Sequence, residues 1–145
     1  MLDSDSGPYV TPDGGALYFS SARDSSNTCS DLLHTRRTAE GGFGDPKPVF
    51  TGAGLCESSP VVSPDELTLY YASDVRMPKG LFVDAVMSWR RSRDAAFPPG
   101  EPLDVLNMGE TSEFPSWVSP DGCRLYFTRN TLSGNARVFV AERTP

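Results

Sequence analysis

The sequence predicts an all-β protein made of stacked copies of one unit, because a single phrase occurs three times. The phrase is a Ser/Thr-Pro-Asp turn followed by a Leu-Tyr-aromatic run, and it occupies residues 11–19, 63–71 and 119–127. The prolines Pro12, Pro64 and Pro120 lie 52 and 56 residues apart. The 13 glycines and 13 prolines are typical of a turn-rich chain. No segment of ten or more residues shows helical periodicity.

The turn of each copy predicts a β-hairpin. Pro presets φ for the second turn position, Asp accepts local backbone hydrogen bonds, and Gly suits the fourth position. We expect the first strands near residues 8–10, 60–62 and 116–118, and the second near 17–20, 69–72 and 125–128. Glu66 stands where the other copies have Gly14 and Gly122. The second turn is therefore expected to be looser or differently shaped.

A third and a weaker fourth strand complete each predicted unit. The third strands are expected at residues 32–37, 85–90 and 138–143, each ending in Arg. The fourth are expected at 48–50 and 102–106, where neighbouring prolines suit an edge position. The unit is thus a four-stranded antiparallel sheet. Leu17 and Phe19 point to one face of it and Tyr18 to the other, so both faces should be covered, as in the blades of a β-propeller.

At these residues the chain resembles the WD40-like repeat of TolB-type β-propellers, over about residues 7–143. The resemblance implies that each first strand lines a central channel and that each fourth strand lies outermost. It also implies that the Pro-Asp turns share one rim with the ends of the third strands. Three structural ion pairs follow as expectations: Asp13 with Arg37, Asp65 with Arg90, and Asp121 with Arg143.

The 145 residues are expected to form a single, partial propeller of about three blades. We place blade 1 at about residues 6–54, blade 2 at about 55–110, and blade 3, which lacks its outer strand, at about 111–145. Closed propellers typically have about four to eight blades. The chain is therefore interpreted as a piece of a longer protein or as a homo-oligomer subunit. In the latter case two copies would make six blades.

Composition argues against several classes of partner. The net charge is −6 and no dense Lys/Arg cluster occurs, which disfavours nucleic acid and anionic membranes. No apolar run approaches the roughly 20 residues of a membrane helix. The first residues lack the features of a signal peptide. The basic run at residues 89–93 is interpreted as a solvated strand end.

The sequence offers little catalytic chemistry. His34 is the only histidine and has no partner at metal-ligand spacing, and no nucleophile motif or phosphate loop is present, so we predict no enzyme activity, metal or cofactor. In the layout that the resemblance implies, Cys29 and Cys56 share one rim and are either disulfide-bonded or two separate thiols. A bond would favour an oxidising, periplasmic or extracellular location. Cys123 is expected to be a buried apolar residue.

Three functions are compatible with the sequence. The favoured one is a non-catalytic segment of an exported bacterial propeller that binds a protein or glycan. The second is the substrate-gating propeller of a larger prolyl-oligopeptidase-like hydrolase, and the third is a self-assembling, lectin-like half-ring. The binding candidates on the rim and at the channel mouth are Tyr9, Glu57, Ser58, Ser59, Thr111, Ser112, Glu113 and Trp117. Packing in the channel wall is the alternative role of Tyr9 and Trp117.

Overall fold

A computed structural model describes residues 4–22, 29–51, 55–76 and 82–143. These ranges contain three antiparallel sheets and no helix. The first sheet contains β1 (Asp5–Val10), β2 (Ala16–Ser21), β3 (Asp31–Arg36) and β4 (Lys47–Pro48). The second contains β5 (Glu57–Val62), β6 (Thr68–Ser73), β7 (Asp84–Trp89) and β8 (Glu101–Pro102). The third contains β9 (Thr111–Val118), β10 (Arg124–Thr131) and β11 (Ala136–Glu142).

The strands of each sheet are hydrogen-bonded in chain order, which confirms the predicted all-β architecture of partial, blade-like sheets. A register shift occurs in every first strand: between Ser6 and Tyr9, between Ser58 and Val61, and opposite Tyr126 in the third sheet. The fourth strands have only two residues each and are shorter than predicted. Proline has no N–H to donate, which limits the length of these edge ladders.

The three sheets pack face to face in sequence. Strand β1 packs against β5, and β5 packs against β9. One core lies between the first two sheets, where Tyr18 meets Leu69 and Tyr71. A smaller core lies between the second and third sheets, where Tyr70 packs on a cluster that includes Leu125. The tyrosine face of one sheet therefore meets the leucine face of the next, so both faces of the middle sheet are covered.

Within the ranges that the structure describes, no helix is long and apolar enough to cross a membrane.

Candidate binding site between the first two sheets

The three Pro-Asp turns share one hydrogen-bond pattern. In the first turn, the Asp13 carboxylate accepts from the Thr11 hydroxyl at 2.6 Å and from the Gly15 N–H at 2.9 Å. The equivalent bonds form in the other two turns. These bonds hold the pKa of each turn aspartate, Asp13, Asp65 and Asp121, below its ordinary value. Each turn is thus stabilised by hydrogen bonds between its own residues.

Glu66 adopts the backbone conformation of the glycines that it replaces. Its φ is 58°, close to the 68° of Gly14 and the 70° of Gly122. Its N–H donates to the Ser63 carbonyl at 2.8 Å, as the glycines do in their own turns. The expectation of a looser or differently shaped second turn is therefore wrong. A side chain larger than Asn in this left-handed region is strained, so some other interaction must hold it there.

The ion pairs of the Glu66 carboxylate provide that interaction. It is only 1% exposed and forms a two-pronged ion pair with Arg36, at 2.8 and 2.7 Å. Guanidinium nitrogens of Arg90 and Arg93 each lie 3.6 Å from its oxygens, and the Tyr18 hydroxyl donates to it at 3.3 Å. Tyr18 and Arg36 belong to the first sheet, whereas Glu66, Arg90 and Arg93 lie in the turn and loop that flank strands of the second sheet. Glu66 thus links the two sheets as a compensated buried charge.

The three expected Asp–Arg ion pairs do not form. Their arginines bind backbone carbonyls of the turns instead: Arg37 Nε donates to Gly14 at 2.8 Å and Arg90 Nε donates to Glu66 at 2.8 Å. In the third sheet the backbone N–H of Arg143 donates to Cys123 at 2.8 Å. Each carboxylate, of Asp13, Asp65 or Asp121, accepts hydrogen bonds within its own turn, and the arginine that approaches Asp13 is Arg93, at 4.0 Å.

A cavity of about 230 Å³ opens beside Glu66, between the first two sheets. His34 lines it from the first sheet, with its ring 5.7 Å from the ring of Tyr18, and burial lowers the pKa of His34. Arg93 and Phe97 line it from the loop between β7 and β8, and the Arg90 guanidinium lies over the Phe97 ring at 4.2 Å. The lining mixes polar side chains, which include His34, Arg93 and Asp94, with apolar ones, which include Val49 and Phe97. Sequence reasoning did not predict this cavity.

Two of the predicted rim residues are buried and hold sheets together. Glu113 has no exposed surface and pairs with Arg129 Nε at 2.8 Å. The Ser112 hydroxyl accepts from the Val83 N–H at 3.2 Å, and the Thr111 hydroxyl donates to Glu113. The prediction of an open ligand surface at Ser112 and Glu113 is therefore wrong. Side chains at the start of β9 instead turn inward against the second sheet.

The other four rim candidates, Glu57, Ser58, Ser59 and Thr111, are half-buried. The Glu57 N–H donates to Ser30 O at 2.9 Å, and the Ser59 N–H donates to the Ser20 hydroxyl at 3.2 Å. Burial, with smaller contributions from nearby carboxylates, raises the pKa of Glu57 to about 7. An acid with a raised folded pKa binds its proton more tightly in the folded state. Its contribution to stability is present below its unfolded pKa of about 4.5 and is lost as the pH rises through about 7.

The two aromatic candidates differ in environment. The Tyr9 hydroxyl donates to the Val62 carbonyl of the next sheet at 2.8 Å, which favours its packing role. Trp117 occupies the equivalent position in the third sheet but is 44% exposed. Its ring lies 5.4 Å from that of Tyr126. Trp117 is therefore the accessible member of this pair.

The cysteines divide into a disulfide and a free thiol. Cys29 and Cys56 are joined, with an S–S distance of 2.02 Å, so of the two alternatives the bonded one is present. The bond connects the loop before β3 to the segment that enters β5. Cys123 is free and only partly buried, because its turn lies at the surface, and the expectation of a buried residue is wrong. In the described part of the chain, no group of three or more His, Cys, Asp or Glu side chains could hold a metal ion.

Solved structures of similar fold were found for nearly the whole chain. TolB from Acinetobacter baumannii has a TM-score of 0.60 at 15% identity, covering 94% of this chain and 29% of TolB. A TolB-type protein from Agrobacterium tumefaciens has a TM-score of 0.58 at 16% identity, covering 98% of this chain and 50% of the other. A puromycin-hydrolysing peptidase from Mycobacterium tuberculosis has a TM-score of 0.54 at 20% identity, covering 96% of this chain and 20% of the peptidase.

These likenesses identify a TolB-like β-propeller fold for the chain, which spans half or less of the length of each protein. No family model and no curated protein matches the sequence. At such low identities the likeness concerns architecture alone, because propellers host many unrelated functions.

Proposed function

We propose that the chain is a non-catalytic segment of an exported β-propeller protein, and that the cavity between its first two sheets is a binding site for a protein side chain or a glycan. The observation that carries the proposal is the cavity of about 230 Å³ lined by both sheets. Its polar residues are held by neighbours, with His34 beside Tyr18 and Arg90 over Phe97. A preorganised site loses little entropy when it binds.

Two further observations support the export part of the proposal. The TolB structures share the fold. The Cys29–Cys56 disulfide is a bond that persists in oxidising compartments and is rare in the cytosol.

The binding role is tested with two probes, chitotetraose for a glycan and a ten-residue alanine-rich peptide for a protein. Each is titrated into the ¹⁵N-labelled chain and followed by amide chemical shifts. We expect shifts for one probe that cluster around His34, Thr51 and Asp94, which line the cavity. The Ala96→Trp variant fills the cavity mouth and should abolish them. Val105→Trp, at a position that is 90% exposed, is the matched control. No shift at the cavity with either probe would contradict the assignment.

The second candidate is the substrate-gating propeller of a larger hydrolase. The match to the puromycin-hydrolysing peptidase favours it, because that structure also covers nearly all of this chain. A fluorophosphonate probe, which labels active-site serines, distinguishes the two functions when it is applied to the natural protein in cell extract. Labelling would support the hydrolase. Absence of labelling, with a labelled serine hydrolase as the positive control, is the result that the scaffold function predicts.

A further inference from the structure

Strand β11 carries uncovered apolar side chains at the edge of the third sheet. Among the described strands it pairs with β10 alone. Val138 is 71% exposed, Phe139 37% and Val140 49%. An edge strand with such a row of side chains is a ready template for pairing with another strand.

The positions equivalent to Val138 are covered in both other sheets, and the position equivalent to Phe139 is covered in the second sheet. The strand registers align Val138 with Leu32 and Ala85, and Phe139 with Val86. Leu32 is 1% exposed, and Ala85 and Val86 are fully buried. The positions of Val138 and Phe139 are therefore apolar in all three sheets, and what differs is the segment that lies over them, whereas Val140 aligns with His34 and the exposed Met87.

The covering segments of the first two sheets share a pattern. Residues 43–49 read Phe-Gly-Asp-Pro-Lys-Pro-Val, and residues 97–103 read Phe-Pro-Pro-Gly-Glu-Pro-Leu. Both have Phe first, Pro sixth and an aliphatic residue seventh. The seventh residue donates its N–H to the third strand: Val49 to Leu32 at 2.9 Å, and Leu103 to Ala85 at 2.8 Å.

The first residue of each segment contacts the arginine that directly follows the third strand. The Arg37 guanidinium lies 5.0 Å from the Phe43 ring centre, and that of Arg90 lies 4.2 Å from Phe97. Arg143 occupies the equivalent position in the third sheet, and its backbone N–H bonds across the sheet as those of Arg37 and Arg90 do. A cation–π partner for an incoming Phe is therefore in place.

The neighbouring sheet also presents apolar surface to this position. Phe97 and His34 line the same cavity, and the ladder registers align His34 with Met87 of the second sheet. Met87 is 37% exposed and Trp89 is 54% exposed. A Phe placed beside β11 in the manner of Phe97 would cover Met87, and Trp89 lies two residues further along the same face of β7.

We propose that the edge of β11 binds an extended peptide with Phe at its first position and Pro-aliphatic at its sixth and seventh, by antiparallel strand addition. One contact of the native segments cannot be repeated. The Thr35 and Ser88 hydroxyls donate to Gly44 O at 2.7 Å and Pro98 O at 2.6 Å, whereas the aligned residue of β11 is Ala141. This surface lies on the third sheet, apart from the cavity assigned above.

The test uses a synthetic, end-capped peptide with the sequence of residues 95–104, titrated into the ¹⁵N-labelled chain. Saturable binding is expected, with shifts confined to β11 and the Trp89 indole. A peptide carrying Phe97→Ala should bind at least tenfold more weakly. The same loss is expected for the protein variant Val138→Pro. The aligned Leu32 and Ala85 point their backbone polar groups towards the covering segment, and proline would remove the corresponding N–H of β11. Trp89→Ala, which does not alter β11, should also weaken binding.

Two controls separate strand addition at β11 from a general loss of structure. Leu132→Ala, at a position 67% exposed, should bind the peptide as the parent does, and circular dichroism must show that each variant is folded. No binding at about 1 mM peptide would overturn the proposal. Undiminished peptide binding by the folded Val138→Pro and Trp89→Ala variants would also overturn it. So would chemical-shift changes confined to β3 and β7. Light scattering that shows a dimer which the peptide does not dissociate would also overturn it, since a second copy would then be the occupant.

Discussion

Replacing Glu66 by glycine should destabilise the protein, even though glycine is the residue of the other two turns. Two effects oppose each other. Glycine relieves the left-handed backbone, which costs other residues about 1–2 kcal/mol. Loss of the carboxylate leaves Arg90, only 7% exposed, without its counter-charge, and breaking a buried pair in this way costs about 3–5 kcal/mol.

The net loss expected for Glu66→Gly is therefore about 1–4 kcal/mol. Arg36 and Arg93 add little to this figure, because their side chains are 43% and 48% exposed and solvent screens their charges. The ion-pair effect exceeds the backbone effect because Arg90 cannot turn to water without unpacking Phe97.

Urea unfolding followed by tryptophan fluorescence measures this difference. Gly122→Ala is the matched control, since φ is 70° there and an added Cβ meets nothing within 4 Å, so it isolates the backbone cost of about 1–2 kcal/mol. Glu66→Gln keeps the backbone strain and removes the charge, and it should also lose stability. A Glu66→Gly variant as stable as the parent, or more stable, would show that the Glu66 ion pairs do not outweigh the cost of its backbone conformation.

Three further predictions concern stability. Cys29→Ser opens a disulfide between residues 27 apart and should lower the unfolding free energy by about 3–4 kcal/mol in urea without reductant, and an unchanged value would contradict it. Glu57→Gln should gain on the parent by up to about 3 kcal/mol as the pH rises from 4.5 to 8, because the parent pKa is about 7 when folded; a constant difference across this range would refute it. Gly100→Ala places a Cβ 2.7 Å from a methyl carbon and should lower the melting temperature by several degrees, whereas Gly109→Ala, with nothing within 4 Å, should not; equal shifts would argue against the packing.

The repeated phrase was sufficient to predict the fold. Turn chemistry and strand alternation are local properties, and the three copies are consistent with one another, so sheet type and strand order followed from the residues. The fourth strands were predicted too long, because their prolines permit only two ladder residues each.

The candidate site was less predictable, since it depends on which sheet neighbours which. Glu66 broke the pattern, and that departure was the available signal. The role of Glu66 could not be predicted from the sequence, because it depends on the positions of Arg36 in the preceding sheet and Arg93 in a loop. The ion pairs were mispredicted because the layout implied by the resemblance placed Asp13 and Arg37 on one rim, whereas the Asp13 carboxylate accepts hydrogen bonds within its own turn and Arg37 donates to a backbone carbonyl.

The fold consists of three equivalent sheets that follow one another, with the second between the other two. Double electron–electron resonance measures this directly, with spin labels at the equivalent turn positions: Gly15→Cys, Leu67→Cys and the native free thiol Cys123. The arrangement predicts similar distances for the pairs 15–67 and 67–123, and a clearly longer distance for 15–123. A 15–123 distance equal to or shorter than the other two would contradict it.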